Sequence, residues 1–198
     1  MKTINPSELS PMQVQMILQT AVAPRPIALA STIDKNGNVN LSPFSFFNLF
    51  SSNPPILIFS PARRVRDHST KDTLHNVLEV PEVVIGNVNF DMVQQVSLSS
   101  TEYETGVDEF IKSGLTKKPS ELVKPPLIAE SPVNFECKVI KVKPLGNEGG
   151  AGNLVICEVL KIHIREEFLN EEGNLDQKKL DLVSRLGGNW YGRTSAET

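Results

Sequence analysis

Residues 25–60 carry a pattern that an antiparallel sheet satisfies and few other folds do. Ile27, Leu29, Ser31 and Ile33 alternate with the small Ala28, Ala30 and Thr32, the two-residue period of a strand. Asp34-Lys35-Asn36-Gly37-Asn38 follows, and Asn and Gly tolerate the positive φ that a tight hairpin demands. Val39-Asn40-Leu41 then returns as a second strand, and Pro55 to Ser60 makes a third, short and fully apolar. Further strands are predicted around Val83, Val84, Ile85 and Val88, interrupted by Gly86. Two more are predicted over Val133, Phe135, Cys137 and Val139, and over Leu154 to Ile164.

Helices are predicted after Ser10-Pro11, where Met12, Met16 and Ile17 share a face, and over Ser69 to Val80, capped by Ser69 or Thr70 and stopped by Pro81. Phe90 to Leu98 and a short piece near Asp108 to Ile111 complete the set. Roughly six or seven strands, mostly antiparallel, thus share the chain with about two to four helices. The strands cluster without βαβ alternation, which argues against a doubly wound sheet. A small closed or split β-barrel with helices at its ends fits better.

The 198 residues, 39% hydrophobic and 22% charged, describe one folded domain spanning 1–198. A net charge of -3 argues against non-specific nucleic-acid binding, which needs a basic surface. No apolar run approaches the ~20 residues that cross a bilayer. The opening MKTINPSELSPMQVQMIL lacks a secretory signal's apolar segment. Cys137 and Cys157 sit in alternating apolar stretches without metal-ligand spacing, so buried free thiols are expected. These readings predict a cytoplasmic protein with neither nucleic-acid nor membrane partners.

Two clusters carry candidate chemistry. Arg63, Arg64, Arg66 and Lys71 lie on a strand-to-helix connection beside Ser69, Thr70 and Thr73. Cations and hydroxyls next to a helix N-terminus favour an anion, the alternative being a solvated basic loop. The run Ser42-Pro43-Phe44-Ser45-Phe46-Phe47-Asn48 fits neither a clean strand nor an amphipathic helix, and Pro43 belongs at a sheet edge or strand end. Some of its phenylalanines belong to the core, while its irregular backbone offers N–H groups to a planar ring. Together these clusters suit a flat, anionic aromatic cofactor such as a flavin, whose reduced ring needs donors. The glycine-rich stretch Gly146 to Gly152 lies between strands with no helix behind it, so it is expected to be a hairpin loop, not a phosphate loop. His68, His75 and His163 show no metal spacing, and no nucleophile elbow is present.

The chain resembles the flavin reductase-like family of FMN-binding split barrels, in particular its flavoredoxin-like members. The resemblance rests on Ala23-Pro24-Arg25-Pro26-Ile27-Ala28-Leu29, Asn40 to Asn48, Pro54-Pro55, Lys71-Asp72-Thr73-Leu74, Gly106 to Phe110 and Arg185-Leu186-Gly187-Gly188. It implies an α+β, mainly β fold: an antiparallel Greek-key-type split barrel, as a homodimer with one FMN per subunit near the interface. It puts Ser42, Pro43, Phe44, Ser45, Phe46 and Asn48 at the ring and ribityl chain, and Ser60, Arg64, Lys71, Asp72 and Thr73 at the phosphate. Arg25 and Pro26 would start the barrel strand beside the cofactor, and Trp190-Tyr191 would approach it. The implied activity is hydride transfer from NAD(P)H through N5 of FMN to a free flavin, a ferric complex or a partner protein. No protein side chain is expected to act as acid, base or nucleophile. The alternatives are a non-enzymatic FMN electron carrier, or a barrel binding another planar ligand such as pyridoxal phosphate or a haem product.

Overall fold

The computed structural model describes residues 1–104 and 106–194. Helix α1 (Pro11–Ala21) precedes β1 (Ala28–Ile33), β2 (Val39–Phe44), β3 (Phe47–Ser52) and β4 (Pro55–Phe59). Then come α2 (Asp72–Glu79), β5 (Glu82–Gly86), α3 (Val93–Ser99) and α4 (Glu109–Ser113). The short β6 (Lys117–Lys118) and β7 (Leu127–Ile128) lead to the long β8 (Val133–Pro144) and β9 (Asn153–Ile164). A last helix, α5 (Gln177–Leu180), precedes the terminal ribbon of β10 (Val183–Arg185) and β11 (Tyr191–Arg193).

Seven strands form one antiparallel sheet in the order β2-β1-β5-β8-β9-β4-β3. Its edge strands, β2 and β3, are consecutive in the chain and joined only by Ser45 and Phe46. Neighbouring strands stand ~4.8 Å apart, so a two-residue link cannot reach across an open sheet of this width. The sheet therefore curls until its edges meet at that link, without pairing there. The result is a split barrel of mainly β, α+β class, as the strand pattern predicts.

Both faces of β1 are buried, for different reasons. Ala28 and Ala30 pack with Phe44, Phe59, Leu74, Val77, Ile85, Cys137 and Cys157 in one cluster. Ile27 and Leu29 pack with Leu41, Val84, Met92, Val96 and Phe110 in another, under α3 and α4. The hairpin between β1 and β2 forms as expected: Asp34 accepts the N–H groups of Asn36 and Asn38, each at 2.8 Å, and Gly37 has φ +91°. Ser10 and Gln13 close a reciprocal capping box at the start of α1.

Two expectations change, and one strand escapes the sequence reading. Helix α2 begins at Asp72, not Ser69, with Lys71 as its N-cap and no side-chain capping bond. Ser69 is diverted: its N–H and hydroxyl both go to Asp67, at 2.9 and 2.5 Å, which holds a turn before the helix. The SPFSFFN run is not one irregular segment; it ends β2, makes the link and begins β3. Strand β3 escapes a periodicity reading because its register slips between Leu49 and Ser51 and Leu49 and Phe50 are both exposed, which destroys the alternation. Pro43 lies in β2, an edge strand, where a missing N–H is tolerated. Among the described residues, no helix is long and apolar enough to cross a membrane.

Candidate functional site

Where the barrel splits, a cleft of about 430 Å³ opens. The end of β2 supplies Pro43 and Phe44, and its link to β3 supplies Ser45 and Phe46, to one wall. The connection from β4 to α2 supplies Ser60, Arg64, Arg66 and Lys71 to another, and α1 lays Met12, Gln15 and Gln19 across the mouth. A smaller annex of about 260 Å³ shares Pro43, Ser45, Gln19 and Lys71 with it and ends on Arg185 and Tyr191. One backbone bond ties the walls together: the Ser60 N–H donates to the Phe46 carbonyl at 2.8 Å.

The cationic end is built to meet a negative charge. Arg64 donates to the Ser69 hydroxyl at 3.1 Å and the Thr70 carbonyl at 2.6 Å, which fixes its guanidinium. Its Nε lies 3.3 Å from Glu102, and Arg66 reaches the same carboxylate at 2.8 Å. Two arginines thus converge on one anion, with Glu102 standing in that place. Lys71 is left out of this pairing; its ammonium lies 5.2 Å over the Phe44 ring. Burial, with Arg64 nearby, lowers its pKa, and Glu102 opposes that shift. Ser60 is buried with its hydroxyl unpartnered among the described residues. That hydroxyl packs against Gly152, where an added Cβ would stand 2.6 Å from it, so it is turned to the glycine-rich loop.

Phe44 itself is core, 6% exposed, with its ring 5.3 Å from that of Phe59. Phe46, 39% exposed, offers an aromatic face at the cleft. One end of the cleft therefore favours an anion and the other a flat apolar body.

Of the residues expected at the site, Pro43, Phe44, Ser45, Phe46, Ser60, Arg64 and Lys71 line the cleft and Tyr191 lines the annex. The others stand outside these linings. Ser42 is half-buried in β2, and Asn48 is exposed on β3, where it accepts the Leu49 N–H. Pro26 is exposed and borders a separate hollow with Phe47 and Val88. Trp190 is 75% exposed beside the tail turn. Thr73 is buried in the first turn of α2 and gives its hydroxyl to Asn40 at 2.6 Å. Asn40 in turn donates to Glu109, which also accepts the Leu41 N–H at 2.9 Å. Asp72, half-buried, begins the same turn.

Arg25 is a strut. Its guanidinium donates to the carbonyls of Gln19, Val22 and Leu186, and its Nε lies 3.4 Å from the Ser45 hydroxyl. It binds α1 and the tail to the link that forms the cleft wall. Sequence reading missed Glu102, Gln15 and Gln19; a lone acid or amide far along the chain gives no local signal.

A model of the flavin reductase like domain matches residues 21–181. The chain belongs to the flavin reductase-like family. Solved structures agree across the whole fold. Nitrilotriacetate monooxygenase component B from Bacillus cereus is 28% identical, with 100% of this chain and 98% of that one covered and a TM-score of 0.93. The 2-nitrobenzoate 2-nitroreductase of Pseudomonas fluorescens is 27% identical, with 100% and 94% covered and a TM-score of 0.88. Flavoredoxin of Desulfovibrio vulgaris, 21% identical over 89% of this chain and 90% of its own, shares the fold at a TM-score of 0.76. In this flavin reductase-like chain, the barrel split coincides with the cationic, aromatic-walled cleft.

Proposed function

We propose that this chain is an FMN-dependent oxidoreductase that uses NADH or NADPH as electron donor. The observation that carries the reading is the gathering of Arg64, Arg66 and Lys71 on one wall of the cleft, where Glu102 takes up the two arginines. A phosphomonoester would offer that wall the negative charge that Glu102 supplies now, and an FMN tail provides one. Arg64 and Lys71 would hold the phosphate, with Glu102 giving way to it. Pro43 to Phe46 would flank the ring. When bound, FMN supplies the redox chemistry, accepting hydride equivalents at N5 and passing electrons on. The protein's own part is to fix the two ends, keep the ring against the β2–β3 link and leave one side open to a donor. The roles of the neighbours, a monooxygenase component and a nitroreductase, support an oxidoreductase.

A second copy of the chain fits beside α1. This helix buries none of its residues, although Met12, Met16 and Leu18 are 60%, 62% and 54% exposed. Because Met12 also lines the cleft, a partner seated there would border the cofactor. Sedimentation showing a monomer at micromolar concentration would remove this part of the reading.

The deciding experiment is direct. The protein is purified without added flavin, its visible spectrum is recorded, and the bound flavin is released and weighed by mass spectrometry. NADH and NADPH are then added anaerobically. A yellow protein carrying FMN and bleached by one nucleotide is expected. A protein that stays colourless with excess FMN overturns the cofactor; a yellow protein that neither nucleotide bleaches overturns the enzyme and leaves an electron carrier.

A further inference from the structure

The glycine-rich loop between β8 and β9 has no helix behind it, yet its second half, from Gly149 to Gly152, touches the cationic wall. The Arg63 N–H donates to the Ala151 carbonyl at 2.9 Å, and the Gly150 N–H donates to the Arg63 carbonyl at 3.0 Å. Ala62 and Gly152 form an isolated bridge. Asn153, buried at the root of the loop, donates its side chain to the Pro61 carbonyl at 3.0 Å. The loop is therefore the bed on which residues 61–65 lie.

Gly149 decides how closely the two segments meet. A Cβ there would stand 2.8 Å from Val65 Cα, 2.9 Å from the Val65 carbonyl oxygen and 3.1 Å from that of Arg64. All three are backbone atoms, so no rotamer change relieves the overlap; the Arg64-Val65 segment itself has to move. That segment is already committed, since the Arg64 N–H donates to Ser69 and its carbonyl accepts from His68, each at 2.9 Å. Gly146, in the same loop, differs: its added Cβ meets only Ala151 Cβ, at 3.3 Å.

We propose that Gly149 is a positioning and specificity-determining residue, which sets the reach of Arg64 and so makes the cleft select a phosphorylated flavin over its dephosphorylated form. The proposal rests on the FMN reading above and adds to it the element that shapes the phosphate end. The loop touches no phosphate; it places the backbone from which Arg64 extends. Larger residues at position 149 push that backbone outward, and the guanidinium with it, while the ring wall formed by Pro43 to Phe46 stays in place.

The test measures dissociation constants of FMN and riboflavin, by quenching of flavin fluorescence, for the full chain and for Gly149→Ala and Gly146→Ala. The wild type is expected to prefer FMN by about tenfold or more, the equivalent of one charge-assisted phosphate contact. Gly149→Ala is expected to lose most of that preference with riboflavin affinity unchanged, and Gly146→Ala to keep it. If the wild type shows no preference, the FMN reading of the cleft fails, before any variant is examined. If the wild type prefers FMN and Gly149→Ala keeps the preference, or loses affinity for both flavins equally, the role given to Gly149 is wrong. Should Gly149→Ala not fold, hydrogen exchange on the wild type decides. FMN, but not riboflavin, is expected to slow exchange of the Arg63 and Gly150 amides that join the two segments; equal slowing by both, or none, overturns the proposal.

Discussion

Lys71 and Arg64 face the same cleft with different commitments, and this separates their variants. Arg64 already serves Ser69, Thr70 and Glu102, so its removal also loosens the loop. Lys71 lies over the Phe44 ring, and its loss leaves the backbone untouched. Lys71→Ala is expected to weaken FMN by about 1.5–3 kcal/mol, the range of a charge-assisted hydrogen bond, with riboflavin binding and the melting temperature unchanged. Titration calorimetry checks it, and unaltered FMN affinity in a Lys71→Ala/Arg64→Ala double variant would place the phosphate elsewhere. Asp67 offers a pH test of the same loop. Hydrogen bonds from the Ser69 hydroxyl, then the Ser69 N–H, with help from Arg66, hold its carboxyl down at about 2. Below the ordinary value of 3.8 the unfolded chain binds a proton that the folded chain refuses. The stabilisation is thus complete above that pH and fades as pH falls toward 2. In Ser69→Ala, the Asp67 carboxyl resonance is expected to titrate closer to 3.8; an unmoved midpoint near 2 rules out the Ser69 hydroxyl as the main cause. At this scale the sequence was a fair guide to the cations and the SPFSFF run, because both are local clusters. It was silent on Glu102 and on the strut made by Arg25, since the arginines that meet Glu102, and Ser45 and Leu186 that meet Arg25, lie far away in the chain.

Strands whose two faces meet different neighbours announced themselves, and those facing solvent did not. The alternation in β8 and the apolar runs of β4 and β5 marked them from residue type alone. Strand β3 hid behind its bulge, and the ribbons β6–β7 and β10–β11 are too short to show a period. The glycine loop was correctly placed as a hairpin, but its contact with residues 61–65 follows from barrel closure, which no local pattern encodes. Gly86 shows a similar hidden demand. It ends β5, and a Cβ there would meet Ser131 Oγ at 2.9 Å and Ile128 Cδ1 at 3.0 Å. Ser131 is itself tied to the Asn87 and Val133 carbonyls at 2.8 Å. Gly86→Ala is therefore expected to destabilise the fold by about 1–3 kcal/mol through overpacking, seen as a lower urea midpoint with unchanged slope. FMN affinity should hold, because this contact lies outside the cleft lining. A midpoint equal to wild type would mean that the segment around Ser131 yields freely.

The barrel as a whole makes a statement about its two thiols. Cys137 on β8 and Cys157 on β9 are both fully buried and belong to one cluster. Burial, with Glu136 adding to it, pushes the Cys137 thiol up to about 12, and burial, with Cys137 beside it, raises Cys157 well above its ordinary value. A thiolate is the reactive form, so at pH 8 neither sulfur has the charge or the access to attack an alkylating reagent. Reaching them means parting β8 from β9, the longest ladder in the sheet, and β9 also carries β4. Opening that ladder removes the support of both walls of the cleft, so local fraying at a sheet edge is not enough. Alkylation by iodoacetamide at pH 8 should therefore be negligible in the native protein and complete for both residues in urea, as followed by mass spectrometry. The two cysteines are also expected to react at one common rate, because a single cooperative opening exposes both. Adding FMN should slow that rate, since a ligand that binds only the closed barrel lowers the open population. If either thiol reacts natively at the rate of a free cysteine, or the two react at well-separated rates, then the barrel does not open as one unit.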